Sequence, residues 1–554
     1  MAYNDTPSES ATPTLRPDVE AADTTPVQRA WPSPLLDNDK APPPPPAPAH
    51  DEAPPKPFSQ TRKWVLLGVF ALAIFIDVMG YSAFYVLTAT VAADLGIPFA
   101  QQSWVINSYA VTFAAFLLLW GRVSDLYSAT TVFNWSFVAL GLLSLVISFL
   151  PDKYSFFVLR ALAGIAGGAL VPASYRLIVH VFEARELALA FTIYGVSGTL
   201  GNMAGTIVGG IIEYIPDFRL GEQMHSWRWF FRLTAAVIAP LAAASFVLVP
   251  YAPGAESGTL HEGEPDTSPR WRRLDLVGAL TILAAIVLLT LGLTLGASYG
   301  WKKAGFLAPF LLSFPLFAAF FFWEARLPAS HALVPAATWR IPNLAIFMAM
   351  GLPIYAWWAV NFLALIETYV HVHHERSLLA AVRMLPQAVV SIGGTVAFSR
   401  VPRLSARPWL TILVGQVLAV VGYVLFTRTS TFVGTHYWRF IFTGGLLGSL
   451  GNMAIYTATN VGIMTAIPPE MAGVVGALFQ VSIQLGAVVG FATQAGMMTV
   501  NPGGISNPDN VHASFYFQMG WNALWLILFA VGYKRPKAAP APALEAPEAH
   551  PEAK

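Results

Sequence analysis

The chain contains no cysteine in its 554 residues. Disulfides and cysteine-ligated metals are therefore excluded. Charge is scarce as well: only 11% of residues are Asp, Glu, Lys or Arg, against about 25% in an average soluble domain. A soluble fold of this length would need about three or four domains with polar surfaces. There are too few charges to cover them, and with 55% hydrophobic residues the surface suits lipid instead. The net charge of +1 gives no footing for nucleic acid. No stretch fits GxxxxGK[ST], so ATP is not the expected energy source. No catalytic arrangement stands out, and an enzyme is not expected. No apolar run precedes Trp64, so no signal peptide is expected and insertion would rely on the first span.

What is present divides cleanly. Residues 1–60, with a proline run from Pro42 to Pro46, and residues 536–554, rich in Ala, Pro and Glu, cannot bury enough apolar surface to fold. Both read as disordered tails. Between them, stretches of about 20 apolar residues recur. They predict spans near 64–88, 103–121, 130–150, 154–174, 187–211 and 229–250, then 274–296 and 305–323. The last six fall near 343–366, 377–398, 409–427, 438–464, 471–495 and 515–533. That makes fourteen, and the chain reads as an all-α integral membrane protein. An acidic stretch with Glu256, Glu262, Glu264 and Asp266 separates the sixth span from the seventh.

Lys and Arg in the short loops favour the side that carries both tails by about two to one, which predicts cytosolic termini. Trp64, Trp104, Trp227, Trp301, Trp438 and Trp521 sit at span ends, where amphipathic rings suit the headgroup level. Asn134-Trp135-Ser136 has the pattern of a glycosylation site but falls inside the third span.

The fifth span carries Gly201, Gly205 and Gly209 at four-residue spacing, with Gly198 and Gly210 beside them. One helix face without side chains lets another backbone come close, a feature shared by many unrelated membrane proteins. The full stretch Gly201-Asn202-Met203-Ala204-Gly205-Thr206-Ile207-Val208-Gly209-Gly210 resembles the antiporter motif GxxxGPxxGG of the major facilitator superfamily. Gly121-Arg122-Val123-Ser124-Asp125, between the second and third spans, resembles the start of that superfamily's cytoplasmic signature. Arg160 followed by Gly164, Gly167 and Gly168 is similar to its buried-arginine motif. Ser226-Trp227-Arg228-Trp229-Phe230-Phe231 and Pro468-Pro469-Glu470-Met471-Ala472-Gly473 are similar to the fourteen-span drug:proton antiporter family, fungal members above all. The resemblance covers residues 62 to 535.

It implies a six-helix bundle over 61–250, a cytosolic loop over 251–273, two inserted spans over 274–323 and a second six-helix bundle over 343–535. It also implies alternating access, a proton gradient in place of a cofactor, a monomer and a plasma-membrane location. Two departures matter. Ser128, Ala129 and Thr130 stand where the cytoplasmic signature continues with glycine and basic residues, which weakens the pairing expected to latch one closed state. Thr206 stands where the antiporter motif has proline, which removes a fixed bend.

A charge inside the bilayer costs several kcal/mol, so intramembrane ionisable groups are functional candidates. Asp77 lies mid-way along the first span with Gly80, Tyr81 and Phe84 on its face, and it matches the acidic residue of the family's first-span motif. Its expected role is proton uptake on one side and release on the other; the alternative is a carboxylate permanently paired to a polar neighbour. Arg160 is the expected partner, because the first and fourth helices of each half line the cavity in the superfamily.

Polar stripes mark a candidate solute cavity: Tyr81, then Trp357, Trp358 and Asn361 in the ninth span, Asn452, Tyr456 and Asn460 in the twelfth, and Gln480 and Gln484 in the thirteenth. Amides in spans also serve as interhelical glue. Glu367, His371, His373, His374 and Glu375 crowd one span end; they are metal-ligand types, but a solvated loop is the preferred reading and no metal is expected. The function expected is proton-coupled export of a small amphipathic or toxic solute. The alternatives are a facilitator or importer of an ammonium- or borate-like solute, and a membrane solute sensor.

Overall fold

A computed structural model describes residues 58–98, 101–215, 225–252, 269–270, 272–328, 331–401, 407–467 and 472–534. Residues 1–57 of the first predicted tail, the second tail, most of the predicted 251–273 loop and Pro468 to Met471 fall outside them, whereas Ser59 and Gln60, expected in the tail, begin the first helix. Every regular element among the described residues is helical, as a membrane interior requires: with no water to satisfy backbone groups, a helix satisfies its own. Some helix starts are capped by short polar side chains. Ser59 accepts from the Arg62 amide at 3.4 Å, Asp152 from Tyr154 and Ser155, and Asp275 from Gly278.

The first predicted span is interrupted at Ala83, giving α1 (Gln60–Ser82) and α2 (Phe84–Asp94). Then come α3 (Trp104–Leu126), α4 (Ala129–Ile147), α5 (Lys153–Val181), α6 (Ala184–Ile212) and α7 (Ser226–Leu248). A hairpin follows, α8 (Leu276–Tyr299) and α9 (Ala304–Glu324). The rest comprises α10 (Leu344–Ala349) running into α11 (Gly351–Glu367), α12 (Ser377–Arg400), α13 (Pro408–Phe426), α14 (Thr443–Ala466), α15 (Ala472–Met497) and α16 (Pro508–Gly532). A π-helical turn follows α11 at Thr368–Val372, and another leads into α14 at Tyr437–Phe442.

Twelve of the described helical segments are long and apolar enough to cross a membrane. α6 and α14 are equally long but less apolar. Both are rich in glycine and hydroxyl residues and pack on neighbouring helices: α6 on α1 and α12, α14 on α12 and α13.

Packing repeats along the chain. In the first part α1 pairs with α6, α3 with α5, α4 with α5, and α4 with α7. In the last part α11 pairs with α15, α12 with α14, α13 with α14, and α13 with α16. Two exchanges join the parts, α6 against α12 and α3 against α15. α8 lies against both α3 and α15, with Asn107 donating to Thr294 at 3.2 Å. α9 packs mainly on α8 and leaves Leu311, Leu312, Phe314 and Phe322 exposed, an apolar face suited to lipid. Glu324 clasps the base of this hairpin by accepting the amides of Leu333 and Val334 at 3.3 and 3.0 Å.

The α1–α6 contact rests on glycine. A side chain at Gly201 would strike the Phe75 carbonyl, at Gly205 the Met79 carbonyl and the Ser82 hydroxyl, and at Gly209 the Ala83 carbonyl. Gly210 instead meets the Leu378 backbone of α12. Thr206 keeps the backbone N–H that proline would lack, and its hydroxyl donates to the Met203 carbonyl at 2.8 Å. Gly205→Ala should therefore cost about 1–3 kcal/mol of stability, whereas Gly68→Ala, with nothing within 4 Å, should cost nothing measurable. Thermal melting of the purified variants would distinguish these outcomes.

Candidate transport site

A cavity of about 100 Å³ lies where both parts of the chain meet. From the first part, Asp77, Tyr81 and Tyr85 reach it from α1–α2, Tyr109 and Phe113 from α3, and Tyr194 and Asn202 from α6. From the second, Tyr355 and Trp358 come from α11, Tyr456 from α14, and Gln480 and Gln484 from α15. Among the described lining residues Asp77 alone bears a formal charge. The wall is otherwise aromatic and aliphatic, with a few amides.

Helix geometry explains which predicted residues arrive. Tyr81, Trp358, Tyr456, Gln480 and Gln484 line the cavity. Trp357 is one residue from Trp358, hence about 100° around the helix. It is fully buried, stacks on Phe426 at 5.8 Å and donates to Ser449 at 3.2 Å. Asn361 also turns away and donates to Gln387 at 2.7 Å. Asn452 and Asn460 each donate to a carbonyl one turn back on their own helix, Gly448 and Tyr456, both at 3.0 Å. These four do not line the cavity.

Sequence reasoning missed Tyr85, Tyr109, Tyr194, Asn202 and Tyr355. The signal was partly there: Gly195, Gly198, Thr199 and Asn202 follow the i, i+3, i+4, i+7 rhythm of one helix face. That face is distinct from the Gly201–Gly205–Gly209 face turned to α1.

Asp77 is only 4% exposed, and its carboxylate accepts a hydrogen bond from the Tyr109 hydroxyl. Arg160 is nearby and 2% exposed, yet no ion pair joins the two. The guanidinium donates to the carbonyls of Gly80 and Val105, both at 3.4 Å. Its carbon lies 4.2 Å from the Phe84 ring centre and 5.0 Å from that of Tyr109. Such cation–π contacts offset part of the cost of burying the charge.

At the far end of α3, Asp125 pairs with Arg176 at 3.2 Å, and Arg176 also donates to the Ser124 carbonyl. Arg122 donates twice to the Arg273 carbonyl, at 3.0 and 2.9 Å, so it anchors the segment entering α8. Gly121 faces Ala477 of α15, where an added Cβ would make ordinary van der Waals contact at 3.5 Å. Where the signature's basic residues are missing, hydroxyls tie the turn to the end of α7. Ser128 donates to Ala252 at 3.0 Å and Thr130 to Pro250 at 2.6 Å. No group of three metal-ligand side chains assembles among the described residues. Glu375 pairs with Arg383 at 2.5 Å, and burial holds the His373 imidazole below its ordinary range.

A helical membrane body enclosing a central cavity between two similarly paired parts defines a transporter architecture. Residues 70–275 match the model of the Major Facilitator Superfamily. The chain is similar to the puromycin resistance protein pur8 of Streptomyces alboniger, 28% identical over 78% of this chain and 81% of that protein. It is also similar to the major facilitator superfamily multidrug transporter mfsC of Aspergillus fumigatus, 24% identical over 83% of each chain. In structure it is similar to the human organic anion transporter MFSD10, with a TM-score of 0.55, 14% identity and coverage of 84% of this chain and 99% of that one. Residues 70–275 thus match the major facilitator superfamily, and relatives of the chain are drug and antibiotic transporters.

The two adjacent tryptophans separate packing from the cavity wall. Trp357→Ala should cost about 3–5 kcal/mol of stability. Trp358→Ala should leave melting nearer the wild type and weaken aromatic-solute binding between about twofold and tenfold. Melting curves and binding titrations on the same preparations would check both.

Proposed function

We propose that this chain is a secondary transporter that exports a small amphipathic, toxic solute by alternating access, in exchange for protons carried by Asp77. The observation that carries this reading is the central cavity, whose one charged lining group is a buried carboxyl. Aromatic faces and a lone carboxylate favour an aromatic solute that is neutral or cationic. The names of relatives, one for puromycin resistance and one for multidrug transport, support a toxic cargo. The twelve apolar helical segments plus α6 and α14 make fourteen spans. The repeated pairings make two six-helix bundles over 61–250 and 343–535, with α8–α9 inserted between them and both termini on the cytosolic side of the plasma membrane. Asp77, Tyr81, Trp358, Tyr456, Gln480 and Gln484 form the working face. The chain acts as a monomer, with a proton gradient as its energy source and neither ATP nor a metal.

A carboxyl sheltered inside such a cavity meets one aqueous phase and then the other as the bundles rock, and its two protonation forms favour opposite-facing states. A potential of 100 mV supplies about 2.3 kcal/mol per charge, and one pH unit adds about 1.4 kcal/mol per proton. Together they allow accumulation of several-hundredfold per proton.

In proteoliposomes with an imposed pH gradient, the wild type should accumulate radiolabelled puromycin against its concentration. Asp77→Asn should abolish accumulation while leaving binding. Downhill transport that persists after collapse of the gradient, with no accumulation in its presence, or an Asp77→Asn variant that still transports, would point to a facilitator.

A further inference from the structure

Asp77 stands between two cavities. The second, of about 20 Å³, lies within the first group of helices and is lined by Ser144, Arg160 and Thr234 among others. Only Asp77 and Tyr109 line both. Tyr109 therefore forms the partition on the carboxyl's side, and it makes two contacts at once: its hydroxyl donates to Asp77, and its ring faces the Arg160 guanidinium. The space for this arrangement comes from α5. A side chain at Gly167 would overlap both the Tyr109 hydroxyl and the Asp77 carboxylate, and one at Gly164 would overlap the Tyr109 carbonyl.

Two opposite charges this deeply buried would ordinarily close into a charge-assisted pair, roughly twice as strong as a neutral hydrogen bond. Here the Arg160 donors go to backbone carbonyls instead, and its Nε has no hydrogen-bond partner among the described residues. The chemistry of the two possible partners differs in one decisive respect. A guanidinium has donors only, so it serves a carboxylate and has nothing to offer the proton of a carboxylic acid. A phenol both donates and accepts, so it serves either form.

We propose that Tyr109 is a positioning residue for proton exchange. Its ring keeps Arg160 from locking Asp77 as a permanent ion pair, and its hydroxyl stays bonded to the carboxyl in both protonation states by reversing direction. Arg160 then acts at a distance, as a fixed positive charge behind an aromatic screen. This inference rests on the proton-exchange reading above.

Tyr109→Phe keeps the ring and removes the hydroxyl. Gly167→Ala keeps the hydroxyl and places a methyl where it meets the carboxylate. Both variants are compared with the wild type for puromycin movement in proteoliposomes, by exchange at equal pH and by accumulation under a pH gradient. For each we expect the ratio of accumulation to exchange to fall about tenfold or more, from loss or disruption of one hydrogen bond to a charged group. Accumulation equal to the wild type in both variants overturns the proposal. Exchange falling in step with accumulation also overturns it, because Tyr109 would then be cavity wall only. A wild type that ignores the gradient or does not move puromycin overturns the proton-coupled reading itself, a result visible before any variant is compared.

Discussion

A carboxyl group in the interior of a membrane protein must have its hydrogen bonds met by protein, and the way they are met decides whether it titrates or stays fixed. In this chain one phenol meets Asp77, in room left by a glycine on a third helix. The rest of the first bundle serves that arrangement. α5 approaches α3 closely at Gly164 and Gly168, α6 approaches α1 along Gly201, Gly205 and Gly209, and the Arg160 charge is spread over two carbonyls and two rings. Removing a side chain at several helix contacts is what allows one charged side chain to be accommodated.

The second part of the chain repeats the helix pairings with different chemistry. Where α1, α3 and α5 bring together an acid, a phenol and an arginine, the corresponding α11, α12 and α14 bring together Asn361, Gln387 and Ser449. Gln387 Oε1 accepts from both Asn361 and Ser449, at 2.7 and 3.1 Å. Glycines again make the room: Gly445 lies under Gln387 and Gly448 under the Trp357 ring. The network carries no formal charge. One architecture thus holds a titratable junction in one half and a neutral one in the other.

Much of this was legible in the sequence, and the residues show why the remainder was not. Long apolar runs mark helices because lipid leaves few alternatives, and Asp77 stands out because charge is costly there. α6 and α14 were found despite weaker hydropathy because glycine and polar residues suit contacts inside the protein. The interruption at Ala83 has no proline to announce it. Tyr109 was missed because a tyrosine in a span looks like any other wall residue until its partner, on another helix, is known. Trp357 and Trp358 looked equivalent, but they point about 100° apart around the helix, and Trp357 falls on the side packed against Tyr423 and Phe426. Asn452 and Asn460 followed a four-residue rhythm that also fits a side chain bonded to its own helix one turn back, and that is what they do.

The glycine ladder on α6 has a mechanical consequence. With backbone laid against backbone and no side chain between to rotate or yield, α1 and α6 form a single strut. α6 also bears on α12 through Gly210 and Leu378. A displacement of α12 at that point would be handed to the helix bearing Asp77 with little slack.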